Sequence, residues 1–105
     1  MQNTYGFKFD NLNTLAQLLE EVLQIRWTAR ENSFSGEYFV SGEPPDEYLR
    51  LENNYFELEG WAMEEFRDYL LLLYVSSTTP QKQEELERLF QEKLGIEWKL
   101  ILVRK

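Results

Sequence analysis

The segment from Glu57 to Tyr69, ELEGWAMEEFRDY, combines many carboxylates with three aromatic side chains. A pair of carboxylates can serve as acid and base in glycoside hydrolysis, and several together can hold a hard metal ion. Such pairs arise here if residues two apart share a face of a strand, or residues four apart share a face of a helix. The carboxylates are those of Glu57, Glu59, Glu64, Glu65 and Asp68.

The composition restricts which chemistry these carboxylates could join. The chain of 105 residues has no histidine and no cysteine. It therefore lacks the commonest general base, the Ser–His and Cys–His nucleophile pairs, and the commonest transition-metal ligands. The glycines match no phosphate-binding spacing, and the carboxylates match no calcium loop. We expect no catalytic residue, no metal and no cofactor, and an enzyme is the last of the interpretations.

The formal charge is uneven along the chain. The net charge is −8, but the block from Glu31 to Asp68 has eleven acidic residues and two arginines, a charge of −9. The remaining residues have nine basic and eight acidic side chains, a charge of +1. Such a field repels nucleic acid and attracts a basic protein, although it can also serve only to keep a surface soluble. Both interpretations stay open.

The basic residues do not form the footprint of a nucleic-acid-binding protein. Arg26 and Arg30 have the i,i+4 spacing of a helix, and the bases of the second predicted helix alternate with glutamates. Both patterns are typical of charge pairs on solvent-facing helix surfaces. Direct contact with nucleic acid is therefore not expected.

Trp61 follows Gly60 within the acidic segment, where an aromatic among charges is typical of a binding hot spot. The alternative is a tryptophan that folds back over the core, as we expect for Phe66 and Tyr69. The carboxylates of Glu52, Glu57 and Glu59 could likewise be the solvent face of a hairpin. The candidate partner-binding residues are Glu52, Tyr55, Glu57, Glu59, Trp61, Glu64, Glu65 and Asp68.

Apolar spacing predicts two amphipathic helices. One covers about residues 12–26, after possible caps at Asp10, Asn11 and Asn13, and we expect Trp27 at its end. The other begins at Thr79-Pro80, a cap followed by proline at the first helical position, and ends at Gly95.

Alternating or continuously apolar stretches predict the strands, and residues 31–36 and 41–46 are predicted as turn and loop. Asn53 and Asn54 would turn a hairpin, since asparagine tolerates positive φ, with one longer bulged strand as the alternative. Residues 60–68 would be a loop or one helical turn. The predicted strands are Thr4–Phe9, Glu37–Val40, Tyr48–Glu52, Tyr55–Glu59, Tyr69–Val75 and Trp98–Val103.

The predicted order, β-α-β-β-β-β-α-β, is typical of an α+β fold. We expect a two-layer sandwich in which two helices cover one face of a mostly antiparallel sheet. This is a ferredoxin-like plan with extra central strands, formed by a single domain over residues 1–105. The N-terminus lacks the pattern of a signal peptide, and the longest apolar run is too short to cross a bilayer. These features predict a cytoplasmic protein with no membrane contact.

The aromatic strand GEYFVSG is followed by YLRLENNYFELE, by YLLLLYV, and by a Thr-Pro-capped helix with a closing strand. In this layout the chain resembles the small acidic immunity proteins that protect bacteria from toxins used in interbacterial competition. The resemblance implies a non-enzymatic, one-to-one inhibitor, often of a basic nuclease toxin. It identifies neither the toxin nor whether the inhibitor is a monomer or a dimer.

Two other functions fit the same pattern. A phage-encoded acidic inhibitor of a nucleic-acid enzyme would present the same charge to a different target. A homo-oligomeric accessory domain would use the acidic surface only for solubility.

Overall fold

The computed structural model describes residues 1–33 and 36–105, which form a six-stranded sheet, a two-stranded ribbon and two helices. The helical elements are α1 (Leu12–Leu23), a 3-10 turn (Glu64–Phe66), α2 (Pro80–Leu89) and a π-helical turn (Phe90–Leu94) that extends α2. The strands are β1 (Gln2–Phe7), β2 (Thr28–Asn32), β3 (Gly36–Ser41), β4 (Tyr48–Asn53), β5 (Tyr55–Phe56), β6 (Gly60–Trp61), β7 (Leu71–Ser76) and β8 (Trp98–Arg104).

The sheet has the order β2-β3-β4-β7-β1-β8, and every neighbouring pair is antiparallel. Strands β1 and β4 therefore run in the same direction with β7 between them, and β7 and β8 do so with β1 between them. Helix α1 follows β1 and helix α2 joins β7 to β8, as in the ferredoxin-like plan. The prediction of an α+β two-layer sandwich is confirmed, and β2 and β3 continue its sheet beyond β4.

The core lies between one face of the sheet and the two helices. Leu15 and Leu19 of α1 form one cluster with Leu73 of β7 and with Phe90 and Leu94, which follow α2. The ring of Phe90 is central, with centroids 5.4 Å from Tyr5, 5.4 Å from Phe7 and 5.5 Å from Trp98, all edge to face. Alternate residues of β1, β4 and β7 face this layer, because side chains of a strand alternate between its two faces.

The helix ends follow capping chemistry. The Asn11 side chain accepts a hydrogen bond from the Thr14 N–H at 2.9 Å, and the Thr79 hydroxyl accepts one from the Lys82 N–H at 3.2 Å. Gly95 ends the second helical segment at φ 70°, as predicted. Helix α1 ends earlier than predicted, at Leu23, because Gln24 turns into the left-handed region at φ 57°.

Trp27 therefore lies beyond the helix end instead of on it. Its backbone N–H donates to the Glu20 carboxylate at 3.1 Å, and its indole N–H donates to the Ala16 carbonyl at 2.8 Å. Its ring packs 6.4 Å from that of Phe39 on the sheet. The chain after α1 is thus directed into β2, a strand that the sequence did not reveal. Every residue of β2 is exposed, so it has no apolar alternation to mark it.

Within the range predicted as a turn, 31–36, Phe34 and Ser35 lie outside the described residues. Strands β3, β4, β7 and β8 confirm predicted strands to within two residues at each end, and β7 is a buried interior strand as expected. The predicted hairpin of Tyr48–Glu52 with Tyr55–Glu59 is wrong, as is the single bulged strand. Strand β4 pairs with β3 and β7, and β5 pairs with β6.

Candidate protein-binding site

Residues 55–69 form an excursion that leaves the sheet after β4 and returns at β7. The Asn54 N–H donates to the Leu70 carbonyl at 2.8 Å, which brings the two ends of the excursion together. The ribbon of β5 and β6 comes first, and the 3-10 turn follows. Residues 60–68 thus contain the helical turn that was one of the two predicted alternatives.

The excursion is closed by the side chain of Asn54, which is fully buried. Its Nδ2 lies 3.3, 3.1 and 2.9 Å from the carbonyl oxygens of Met63, Phe66 and Tyr69, and its Oδ1 accepts from the Met63 N–H at 2.7 Å. Its backbone carbonyl accepts from the Ala62 N–H at 2.7 Å. A single amide therefore satisfies backbone groups throughout residues 63–69, the return path by which the excursion rejoins the sheet. These bonds set the shape of the excursion before any partner binds.

Sequence reasoning missed this role. Asn53 and Asn54 were predicted to turn a hairpin, but neither adopts a positive φ. An asparagine amide has two donors and an acceptor and can replace backbone partners, yet its spacing from the groups it binds carries no pattern.

The tip of the excursion exposes apolar surface. Leu58 lies in the turn between β5 and β6 and is 75% exposed, while Tyr55 is 51% exposed. The rings of Tyr55 and Trp61 pack edge to face across the ribbon, with centroids 5.1 Å apart. Gly60 at φ 82° lets the chain re-enter the ribbon. Trp61 is half-buried by this pairing and still contributes to the surface.

The return path packs on the sheet face away from the helices. Tyr69 lies directly over Gly6, where an added Cβ would come within 2.8 Å of the Tyr69 Cβ and 2.6 Å of the Ile101 Cδ1. The Lys99 ammonium lies 5.6 Å from the ring centre of Phe66. Phe66 and Tyr69 are both half-buried, in agreement with the prediction that they turn inward.

The seven predicted partner-binding residues between Tyr55 and Asp68 all lie on this excursion. Trp61 is half-buried and the rest are exposed, namely Tyr55, Glu57, Glu59, Glu64, Glu65 and Asp68. Glu57 and Glu59 do not line a strand as expected, because they lie in the turn of the ribbon. Glu64 and Glu65 begin the 3-10 turn, and Asp68 follows it.

Glu52 does not belong with these residues. It was considered both as a binding residue and as part of a solvent-facing row, but it is only 6% exposed. Its Oε2 accepts from the Arg50 Nε at 3.1 Å and pairs with the Arg50 Nη2 at 3.0 Å. Burial, together with the charge of this carboxylate, raises the pKa of Tyr74 to about 12. The Glu52 carboxylate is therefore buried against Arg50 on the surface of the sheet and does not face solvent.

The topology adds two acidic residues that were not candidates. Glu31 lies directly opposite Glu37 across β2 and β3, and both are exposed. A cavity of about 370 Å³ separates Glu31 from the ribbon residues Tyr55 and Glu57. Seven carboxylates of the acidic block thus lie at one end of the sheet, and the signal available in the sequence was the block itself. They are those of Glu31, Glu37, Glu57, Glu59, Glu64, Glu65 and Asp68.

Among residues 1–33 and 36–105, no group of three or more acidic side chains is arranged to hold a metal ion. Within the same residues, no helix is long and apolar enough to cross a membrane. Comparison with known proteins adds no assignment, since no family model matches the chain and no curated protein matches it significantly.

Proposed function

We propose that this protein is a non-enzymatic inhibitor, an immunity protein that binds and neutralises a basic toxin or enzyme domain. The observation that carries the proposal is the apolar surface of exposed Tyr55 and Leu58 with half-buried Trp61, set among carboxylates on a preformed excursion. Apolar and aromatic anchors supply the affinity of most interfaces, and surrounding charges select the partner.

The charge pattern supports a partner with a cationic cleft, and a nuclease is the enzyme class in which such a cleft receives phosphates. Carboxylates on the excursion would replace those phosphates in ion pairs with arginine and lysine. The field of the acidic end would also speed the encounter, particularly at low salt. Because Asn54 orders the excursion in advance, little conformational entropy would be lost on binding.

Binding is favoured over acid–base catalysis by the exposure of the carboxylates. A general acid or base works best where burial or a neighbouring charge adjusts its pKa towards the working pH. Glu57, Glu59, Glu64 and Glu65 are all exposed to solvent. The one buried carboxylate of the region, that of Glu52, is already paired with Arg50.

The first experiment tests inhibition directly. The source genome would be searched for a basic protein encoded by an adjacent gene. That protein would be expressed in a bacterial host, with and without the protein described here, and growth would be recorded. We expect wild-type protein to restore growth and to bind the purified toxin in calorimetry. Toxicity that persists in its presence, with no heat of binding, would contradict the immunity role for that pair.

The second experiment tests the anchor. Truncation of a hot-spot aromatic costs about 2 kcal/mol or more, so Trp61→Ala should raise the Kd roughly thirtyfold. The circular dichroism spectrum and melting temperature of the variant would establish that it remains folded. An unchanged Kd in the folded variant would remove Trp61 from the interface.

The third experiment separates a local field from total charge. Glu57→Gln with Glu59→Gln, and Glu84→Gln with Glu85→Gln on α2, each remove two exposed carboxylates. The pair on the excursion should slow association by roughly threefold to tenfold at low salt, and the pair on α2 should have little effect. Equal slowing by both pairs would show that only net charge matters.

A further inference from the structure

A pocket of basic character lies at the opposite end of the sheet from the excursion. It is about 390 Å³ in volume and opens between β2 and the loop that joins β3 to β4. Arg26, Thr28 and Arg30 line one side, and Ser41 and Tyr48 line the other. Glu43 is the one acidic side chain in the lining.

The two arginines were predicted as a helical charge pair, and the structure corrects this. Arg26 lies beyond the end of α1, and Arg30 lies on β2. In an extended chain, side chains two apart share a face, so residues 26, 28 and 30 can project into the same pocket. Both arginines are exposed at its rim.

Neither Arg26 nor Arg30 forms an ion pair within residues 1–33 and 36–105. Arg50, in contrast, is paired with Glu52 of its own strand at 3.0 Å, and Arg88 of α2 is paired with Glu92 of the π-helical turn at 3.7 Å. The chain has nineteen acidic residues to eleven basic ones, so carboxylate partners are abundant. Two unpaired guanidinium groups that line one pocket are therefore available to a ligand.

The lining matches the chemistry of a phosphate group. Guanidinium groups bind phosphate oxygens in bidentate pairs, and hydroxyl groups donate to the remaining oxygens. Thr28 and Tyr48 bring two hydroxyl groups to the walls. Ladder pairs hold those walls in place, since Thr28 lies opposite Val40 and Ser41 lies opposite Leu49.

We propose that this pocket binds the phosphate group of a small ligand, with Arg26 and Arg30 as its charged contacts. The site is separate from the acidic excursion and does not depend on the proposed inhibitory role. The volume suits one phosphate group with part of the molecule that bears it. The Glu43 carboxylate opposes the anion and so limits the affinity.

The test uses the whole chain and inorganic phosphate as the probe, at constant ionic strength, by calorimetry and by the shift in melting temperature. Wild-type protein should bind in a saturable manner. Arg26→Ala with Arg30→Ala should weaken binding at least tenfold. Arg88→Ala on α2 with Lys93→Ala on the π-helical turn removes equal charge and should leave binding unchanged. Equal weakening by both double variants, or none by the first, overturns the pocket.

A second pair of variants tests the sign of the local field. Glu43→Gln should tighten phosphate binding several-fold because it removes the opposing charge, and Glu37→Gln, which changes net charge equally, should not. An equal gain in both variants overturns the site. A single-stranded oligonucleotide is a further probe, and binding of the oligonucleotide without binding of inorganic phosphate also overturns the proposal.

Discussion

Two regions on opposite faces of the same sheet are built from different interactions. On the helix-covered face, Tyr5, Phe7 and Phe90 are each no more than 1% exposed, and the ring of Phe90 packs edge to face on the other two. On the other face, the excursion is organised by the amide of Asn54, which hydrogen-bonds to four backbone groups of residues 63–69. One region depends on apolar area removed from water, and the other on satisfied polar groups.

The difference shows how a surface segment can be ordered without a core of its own. Leu58 and Tyr55 are exposed to solvent, so they contribute little to folding. The excursion instead takes its order from hydrogen bonds to a residue anchored in the sheet. Its stability should therefore be separable from that of the core, and the following predictions measure the separation.

The largest effect is expected in the core. Phe90→Ala removes a ring that touches three other rings, and such truncations cost about 3–5 kcal/mol of unfolding free energy. The urea midpoint would fall for the entire domain in one transition. A loss below about 1 kcal/mol would mean that the helix layer is not the main source of stability.

The next effect should be specific to the excursion. Asn54→Ala leaves one backbone N–H and three carbonyl groups without their hydrogen-bond partner. We expect the free energy of unfolding to fall by about 2–3 kcal/mol, because buried polar groups lose their partners. Limited proteolysis should then cut within residues 57–68 while the rest of the chain stays protected. Asn54→Asp keeps the shape but replaces the amide donor with a carboxylate facing carbonyls, so it should be at least as damaging.

Asn53→Ala is the matched control, since Asn53 is part of the β4–β7 ladder and is only half-buried. If cleavage accelerates equally in the Asn53 and Asn54 variants, the amide of Asn54 is not the element that orders the excursion.

A third change tests the contact between the excursion and the sheet. In Gly6→Ala the new methyl group would overlap Tyr69 and Ile101, and overpacking of this kind costs about 1–3 kcal/mol. Tyr69→Gly made together with Gly6→Ala should recover part of the loss, because it removes the Tyr69 Cβ and Cγ that the new methyl group would overlap. If the losses of unfolding free energy from the two single changes simply add in the double variant, the overlap with Tyr69 is not the source of the destabilisation.

The core and the excursion also differ in how far the sequence revealed them. The helices could be predicted from apolar spacing and from caps such as Thr79-Pro80, because the spacing that places apolar side chains on one buried stripe is the repeat of the helix itself. Strand β2 did not follow, since an exposed edge strand has no apolar alternation. The pairing of β5 with β6 depends on the long-range bonds of Asn54, which span up to 15 positions and leave no periodic trace.

The sequence placed the candidate residues on one segment but did not reveal its arrangement. Of these residues, Tyr55 and Glu57 are exposed and Trp61 is half-buried, and their role in binding stays a prediction. Glu52 was misplaced, because alternation along a strand predicts which face a side chain takes but not whether that face is covered. Arg50, two residues away on the same face, pairs with it and allows its burial.

The smallest effect concerns the pH dependence of the sheet face that holds Glu52. Because the folded-state pKa of Tyr74 is about 12, against an ordinary value of 10.0, its contribution to stability is complete below about pH 10. Between pH 10 and 12 the unfolded chain loses this proton while the folded chain keeps it, so the free energy of unfolding decreases as pH rises. Tyr74→Phe cannot ionise and should show a shallower decrease over the same interval, measured by urea unfolding. A Tyr74→Phe slope equal to that of wild type would mean that burial and the Glu52 carboxylate do not hold this hydroxyl in the neutral form.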